Sequence, residues 1–92
     1  MNPEHFQTLF CSKTLKIERI VSHGHATPAN QWLRGRRNEW VMVLSGAAKL
    51  RFQKGRVVVM KAGSSLFIRA GRPHRLDWTR PVVQTVWLAV HF

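Results

Sequence analysis

Gly63-Ser-Ser-Leu-Phe-Ile-Arg-Ala-Gly-Arg-Pro-His74 is the stretch on which the fold turns. A glycine turn leads into Leu66-Phe67-Ile68, and a second turn at Ala70-Gly71 hands the chain to Pro73-His74. Beyond it the residues alternate. His74, Leu76 and Trp78 fall on one side of a strand, and Arg75, Asp77 and Thr79 on the other. His74 thus stands at the head of an apolar face, just after a turn, as at the rim of a barrel.

Upstream, Glu39-Trp-Val-Met-Val-Leu-Ser-Gly46 sets a carboxylate at the head of a second apolar strand, with Trp40 to Leu44 apolar on both faces. Further up, Leu15 to His25 reads as a strand whose face is Leu15, Ile17, Arg19, Val21, His23 and His25. Between them Ala26 to Asn38, with Pro28, Asn30, Gly35 and Arg34-Gly-Arg-Arg37, reads as a long loop. After Gly46, Ala48, Leu50 and Phe52 alternate with Lys49 and Arg51, Lys54-Gly55 marks a hairpin, and Val57 to Met60 is β-branched. Arg80-Pro81 ends the His74 strand, and Thr85 to Phe92 forms a last one. Residues 1–14 read as a loose lead-in, with Phe6, Leu9 and Phe10 docking on a domain of residues 15–92. Short strands separated by Gly or Pro, without helical periodicity, predict an all-β barrel or sandwich.

Composition narrows the class. Ninety-two residues make one small domain with a modest core, for which a second copy or a bound metal is a common reinforcement. No apolar run approaches the roughly 20 residues of a membrane helix, and the N-terminus lacks a signal-peptide layout, so a cytoplasmic protein is expected. Cys11 is the single cysteine and makes no internal disulfide. The formal charge of +11 favours an anionic partner or a solvated basic surface. A nucleic acid ranks low among such partners, because no reader helix or RNP-like aromatic stretch accompanies the charge.

Two spacings carry a resemblance. Glu39, six residues and Gly46 resemble the second half of the first cupin motif, G-x5-H-x-H-x(3–4)-E-x6-G. Gly63 to His74 resembles the second motif, G-x5-P-x-G-x2-H-x3-N, with Gly63, Gly71 and His74 in place, but with Arg69 for the proline and Trp78 for the asparagine. The resemblance covers about residues 15 to 92 and implies a small jelly-roll, or double-stranded β-helix, barrel. It also implies a divalent transition metal (Zn, Fe, Ni or Mn) held by three histidines and a glutamate, the positions matched here by His23, His25, Glu39 and His74.

The chain departs from the family at the H-x-H. The pair belongs just before Glu39, where Leu33-Arg34-Gly35-Arg36 stands, but His23-Gly24-His25 is separated from Glu39 by the thirteen residues Ala26 to Asn38. Either the loop is longer and the histidines still reach the cavity, or the metal site has decayed and the protein is a metal-free ligand-binding cupin. Arg69, Arg72 and Arg75 surround the His74 turn, while Arg34, Arg36 and Arg37 precede Glu39. If both loops rim one mouth, a small anionic ligand would meet Arg69, Arg72, Arg75, Arg36 and Trp78. His91 is a further candidate polar group in the cavity. A homodimer is expected, paired through the last strand, Val86 to Phe92, which is apolar on both faces.

Overall fold

A computed structural model describes residues 4–92. It has eight strands: β1 (His5–Cys11), β2 (Lys16–Ser22), β3 (Glu39–Ser45), β4 (Ala47–Phe52), β5 (Val57–Lys61), β6 (Ser65–Ile68), β7 (His74–Thr79) and β8 (Thr85–His91). They form two antiparallel sheets, β1-β2-β8-β3-β6 and β5-β4-β7. This is the expected all-β jelly roll. Among the described residues no helix is long and apolar enough to cross a membrane.

The core lies where the two sheets face one another, and alternation explains its membership. Val41 and Val43 of β3 and Trp87 and Ala89 of β8 point in from one sheet; Ala48, Leu50 and Phe52 of β4 and Leu76 of β7 point in from the other. Trp87 is 3 % exposed, and its indole Nε1 donates to Ser22 Oγ at 3.2 Å, so burial leaves no donor unpaired. Ser22 Oγ in turn donates to the Glu4 carboxylate.

Five sequence expectations need correction. The segment expected as a loose lead-in contains β1, a full strand paired along β2 with a bulge between Thr8 and Phe10. The strand expected to reach His25 stops at Ser22, because its partner β8 begins at Thr85 and the ladder ends at the Ser22–Thr85 pair. Its cavity face is Lys16, Glu18 and Ile20 rather than Ile17, Arg19 and Val21. On β7 a bulge pairs Lys49 with Trp78 but Leu50 with Leu76. The phase therefore slips by one: Thr79 is 2 % exposed and inside, while Trp78 turns out to solvent, with Lys49 Nζ 5.4 Å from its ring. Finally, β8 is no free edge, since it lies between β2 and β3.

The segment from 23 to 38 is the long connection expected, and it is stitched along β7. Thr27 N–H donates to Leu76 O at 2.8 Å, Leu76 N–H to Thr27 Oγ1 at 2.9 Å, and Thr79 Oγ1 to His25 O at 2.6 Å. Leu33 and His74 exchange backbone bonds of 2.7 and 3.0 Å. These contacts hold the loop over one end of the space between the sheets.

Candidate functional site

A cavity of about 990 Å³ opens between the sheets at that end. Its deep wall is apolar: Ile20, Val41, Leu50, Ile68, Leu76 and Trp87. Above it lies a row of ionisable groups set by strand register. Lys16 pairs with His91 across β2 and β8, and His91 with Glu39 across β8 and β3. Residues directly opposite on neighbouring strands share a face, so these three side chains meet on the cavity side. His74 reaches the row from the facing sheet.

The contacts are graded. His91 Nε2 lies 2.9 Å from Glu18 Oε1 and 3.6 Å from Glu39 Oε2. A carboxylate only accepts, so His91 Nε2 carries the proton of the shorter bond. Lys16 Nζ stands 3.5 Å from Glu18 Oε2. His74 Nδ1 is 2.9 Å from Arg72 O, and a carbonyl also only accepts, so Nδ1 is the protonated nitrogen and Nε2 faces Glu39 Oε1 at 4.0 Å. The result is a chain, Lys16–Glu18–His91–Glu39–His74, in which each carboxylate lies between two basic groups. Carboxylates and imidazoles at such separations can pass a proton to or from a bound molecule.

The mouth is basic. Arg34, Arg36 and Arg37 from the long loop and Arg69 from the turn after β6 all line the cavity. The two loops are tied together: Gly71 N–H donates to Gly35 O at 2.8 Å, and Ala70 N–H to Asn38 Oδ1 at 2.9 Å. No ion pair among the described residues involves any of these four arginines. Arg37 donates to Lys13 O at 3.3 Å, and none of the four is paired with a carboxylate among the described residues.

The structure sorts the residues expected at the site. Glu39, His74, Arg36 and Arg69 come together on one cavity. His25 also lines it, but the H-x-H is not on a strand. Gly24 takes φ +66°, and the His23 N–H donates to His25 Nδ1 at 2.7 Å, a local turn that uses one imidazole nitrogen. His23 is exposed on the rim with Nε2 2.9 Å from the Gln84 amide nitrogen. Arg72 stacks over Phe52, 3.8 Å from the ring. Arg75 donates to Thr27 O at 2.8 Å and pairs with Asp77 Oδ1 at 3.2 Å. Neither arginine nor Trp78 lines the cavity. Glu18 and Lys16 were the residues missed, because a charged pair on a strand reads as its solvent face.

The metal centre that the resemblance implies needs an H-x-H pair beside His74. The bridge to His74 shows that Leu33 runs beside the histidine strand, where the spacing before Glu39 places the family's H-x-H. Leu33 and Gly35 offer no side-chain donor there. Among the described residues no three His, Cys, Asp or Glu side chains form a group arranged to hold a metal ion. The residues present do not fit a three-histidine, one-glutamate centre.

Comparison with known proteins agrees with the architecture. The cupin-domain family profile matches residues 18–91, and the chain belongs to the cupin family. A crystal structure from Ralstonia eutropha JMP134, named "putative mannose-6-phosphate isomerase", is 43% identical with a TM-score of 0.95, covering 99% of this chain and 85% of that one. A cupin superfamily protein from Desulfitobacterium hafniense DCB-2 aligns with a TM-score of 0.82 at 14% identity, over 99% of this chain and 78% of that chain. A structure of Fe(II)-HppE with an alternative substrate aligns with a TM-score of 0.78 at 18% identity, over 97% of this chain and 49% of the other. The last two likenesses are of fold alone. No curated protein matches the chain.

Proposed function

We propose that this cupin takes a small anionic molecule into the cavity without a metal. Arg34, Arg36, Arg37 and Arg69 hold its charge, and Glu39, His74 and His91 contact its polar body. The observation that carries the reading is the set of four cavity-lining arginines, none in an ion pair among the described residues, above a row of carboxylates and imidazoles. Arginine forks match phosphate and carboxylate oxygens in pairs. The name carried by the 43% identical protein, which specifies a sugar phosphate, supports the phosphorylated end of that range. A homodimer belongs to the same reading, though not through β8, whose two edges are already paired.

Two measurements test this. Calorimetric titration with inorganic phosphate, a hexose phosphate and a dicarboxylate should show saturable binding that weakens as salt rises and is indifferent to chelator. Elemental analysis of protein purified without chelator, alongside His74→Ala, should show no stoichiometric metal in either. One metal per chain that disappears in His74→Ala would overturn the metal-free reading, and absence of binding by all three anions would overturn the ligand class.

A further inference from the structure

Resting on the anion-binding reading above, we propose that the ligand of this cavity is a phosphate monoester with an apolar body. The phosphate sits at the arginines, and the body lies on the floor between the sheets. An aryl or alkyl phosphate is then the better fit, and a hexose phosphate the poorer one.

The cavity lining changes character with depth, and strand register fixes the depth. The ionisable row is a cross-strand set, with Lys16 opposite His91 and His91 opposite Glu39. Further along the same strands, the lining is Ile20 on β2, Val41 on β3 and Trp87 on β8. Ile20 and Trp87 are again directly opposite one another. The facing sheet repeats the change. His74 heads β7, Leu76 follows two residues on, and Leu50 lies opposite Leu76. Two residues of strand advance about 7 Å, so on β7 the step from imidazole to apolar side chain is that short.

The floor gives a bound hydroxyl nothing to bond. Its side chains hold one polar atom, Trp87 Nε1, which already donates to Ser22 Oγ at 3.2 Å. On the loop above Leu76, Thr27 Oγ1 accepts from the Leu76 N–H at 2.9 Å. A sugar bears a hydroxyl on nearly every carbon, and each one carried to the floor loses water without gaining a partner. For an aryl or alkyl body the same loss of water is the driving force.

The mouth selects the head group. Arg34, Arg36, Arg37 and Arg69 line it, and none is in an ion pair among the described residues. A phosphate monoester carries nearly two negative charges at pH 7 and presents three acceptor oxygens. Several guanidinium forks are better satisfied by that group than by a single carboxylate. The layering therefore orients the molecule, head outward and body inward.

Calorimetric titration of the whole chain with phenyl phosphate, a hexose 6-phosphate and inorganic phosphate tests this. Phenyl phosphate should bind at least about tenfold more tightly than the hexose phosphate, the scale on which an apolar pocket discriminates against an added hydroxyl. Ile20→Thr keeps a β-branched residue on β2 and sets one hydroxyl on the floor. It should shrink that preference at least about threefold and leave the affinity for inorganic phosphate unchanged, since that ion does not reach the floor. In methyl-labelled protein, the ring protons of bound phenyl phosphate should show nuclear Overhauser contacts to Ile20 and Leu76. A hexose phosphate bound as tightly as phenyl phosphate, a folded Ile20→Thr with the parent's preference, or ring contacts confined to the mouth would each overturn the apolar body while leaving anion binding in place. Failure of all three probes to bind would overturn the anion-binding reading, and the apolar ester with it.

Discussion

Two histidine-bearing regions answer the same motif differently. His23-Gly24-His25 has the residue types and the i, i+2 spacing of a ligand pair, yet it lies in a turn one residue past the end of β2. Glu39, His74 and His91 lie far apart in sequence, yet strand pairing sets His91 3.6 Å from Glu39, and the facing of the two sheets brings His74 to 4.0 Å from the same carboxylate. Spacing of two places two side chains together only while the backbone stays extended. A ladder partner enforces that extension, and β8 begins too late to supply it to His23. The pair that looked most like chemistry was therefore local, and the group that can act was assembled by register.

The contrast breaks most visibly at the glycines that end the two segments. Gly46, which closes the strand headed by Glu39, has φ +90°, and an added Cβ would lie 2.5 Å from Thr85 Oγ1 and 2.7 Å from Gln84 O. Gly46→Ala should cost roughly 3 kcal/mol or more, by positive φ and overpacking together. Gly24 has φ +66°, and the nearest atom to its virtual Cβ is Pro81 Cα at 3.7 Å, so Gly24→Ala should cost only about 1 kcal/mol. Urea denaturation of both variants measures the difference, and equal losses would remove the distinction between a packed strand end and a free turn.

Next in size is the ion row. His91→Ala leaves Glu18, 9% exposed, without its 2.9 Å partner and should cost about 2 kcal/mol, after discount for the partly exposed imidazole. His23→Ala should stay within about 0.5 kcal/mol. The same denaturation series reads both, and a His23 effect as large as that of His91 would reverse the comparison.

A smaller effect concerns the arginines. Arg36→Ala with Arg69→Ala should weaken phosphate binding about tenfold, the loss of charge-assisted hydrogen bonds, while leaving the melting temperature nearly unchanged. Arg72→Ala should do the opposite. It removes the stack on Phe52 at 3.8 Å, for a loss of about 0.5 to 1 kcal/mol of stability, and leaves phosphate affinity as it was. Titration calorimetry and thermal melts on the same samples separate the two roles.

The fold was legible because most core strands have apolar inner faces and are bounded by turns. Val41 and Val43, and Ala48, Leu50 and Phe52, are where alternation placed them. The errors cluster where that logic inverts. The cavity face of β2 is Lys16, Glu18 and Ile20, so assigning the apolar residues to the interior selects the wrong side of the strand. On β7 a single bulge exchanged Trp78 for Thr79, and nothing in His74-Arg-Leu-Asp-Trp-Thr79 announces a bulge. The position of β8 at the centre of its sheet was equally hidden, since a strand apolar on both faces fits either an edge awaiting a partner or a paired interior strand.

By itself the sequence determined the strand count after residue 15 and the turn glycines, because these follow from local periodicity, while the family and the expectation that Glu39 and His74 share a site came with the resemblance to the two motifs. Only the tertiary structure decided which faces line the cavity, that Glu18 and His91 join the row, and that Arg72, Arg75 and Trp78 leave the site. Each of those depends on which strand lies beside which, and in what register. A register shift of one residue turns every side chain to the opposite face, and no short stretch of sequence encodes it.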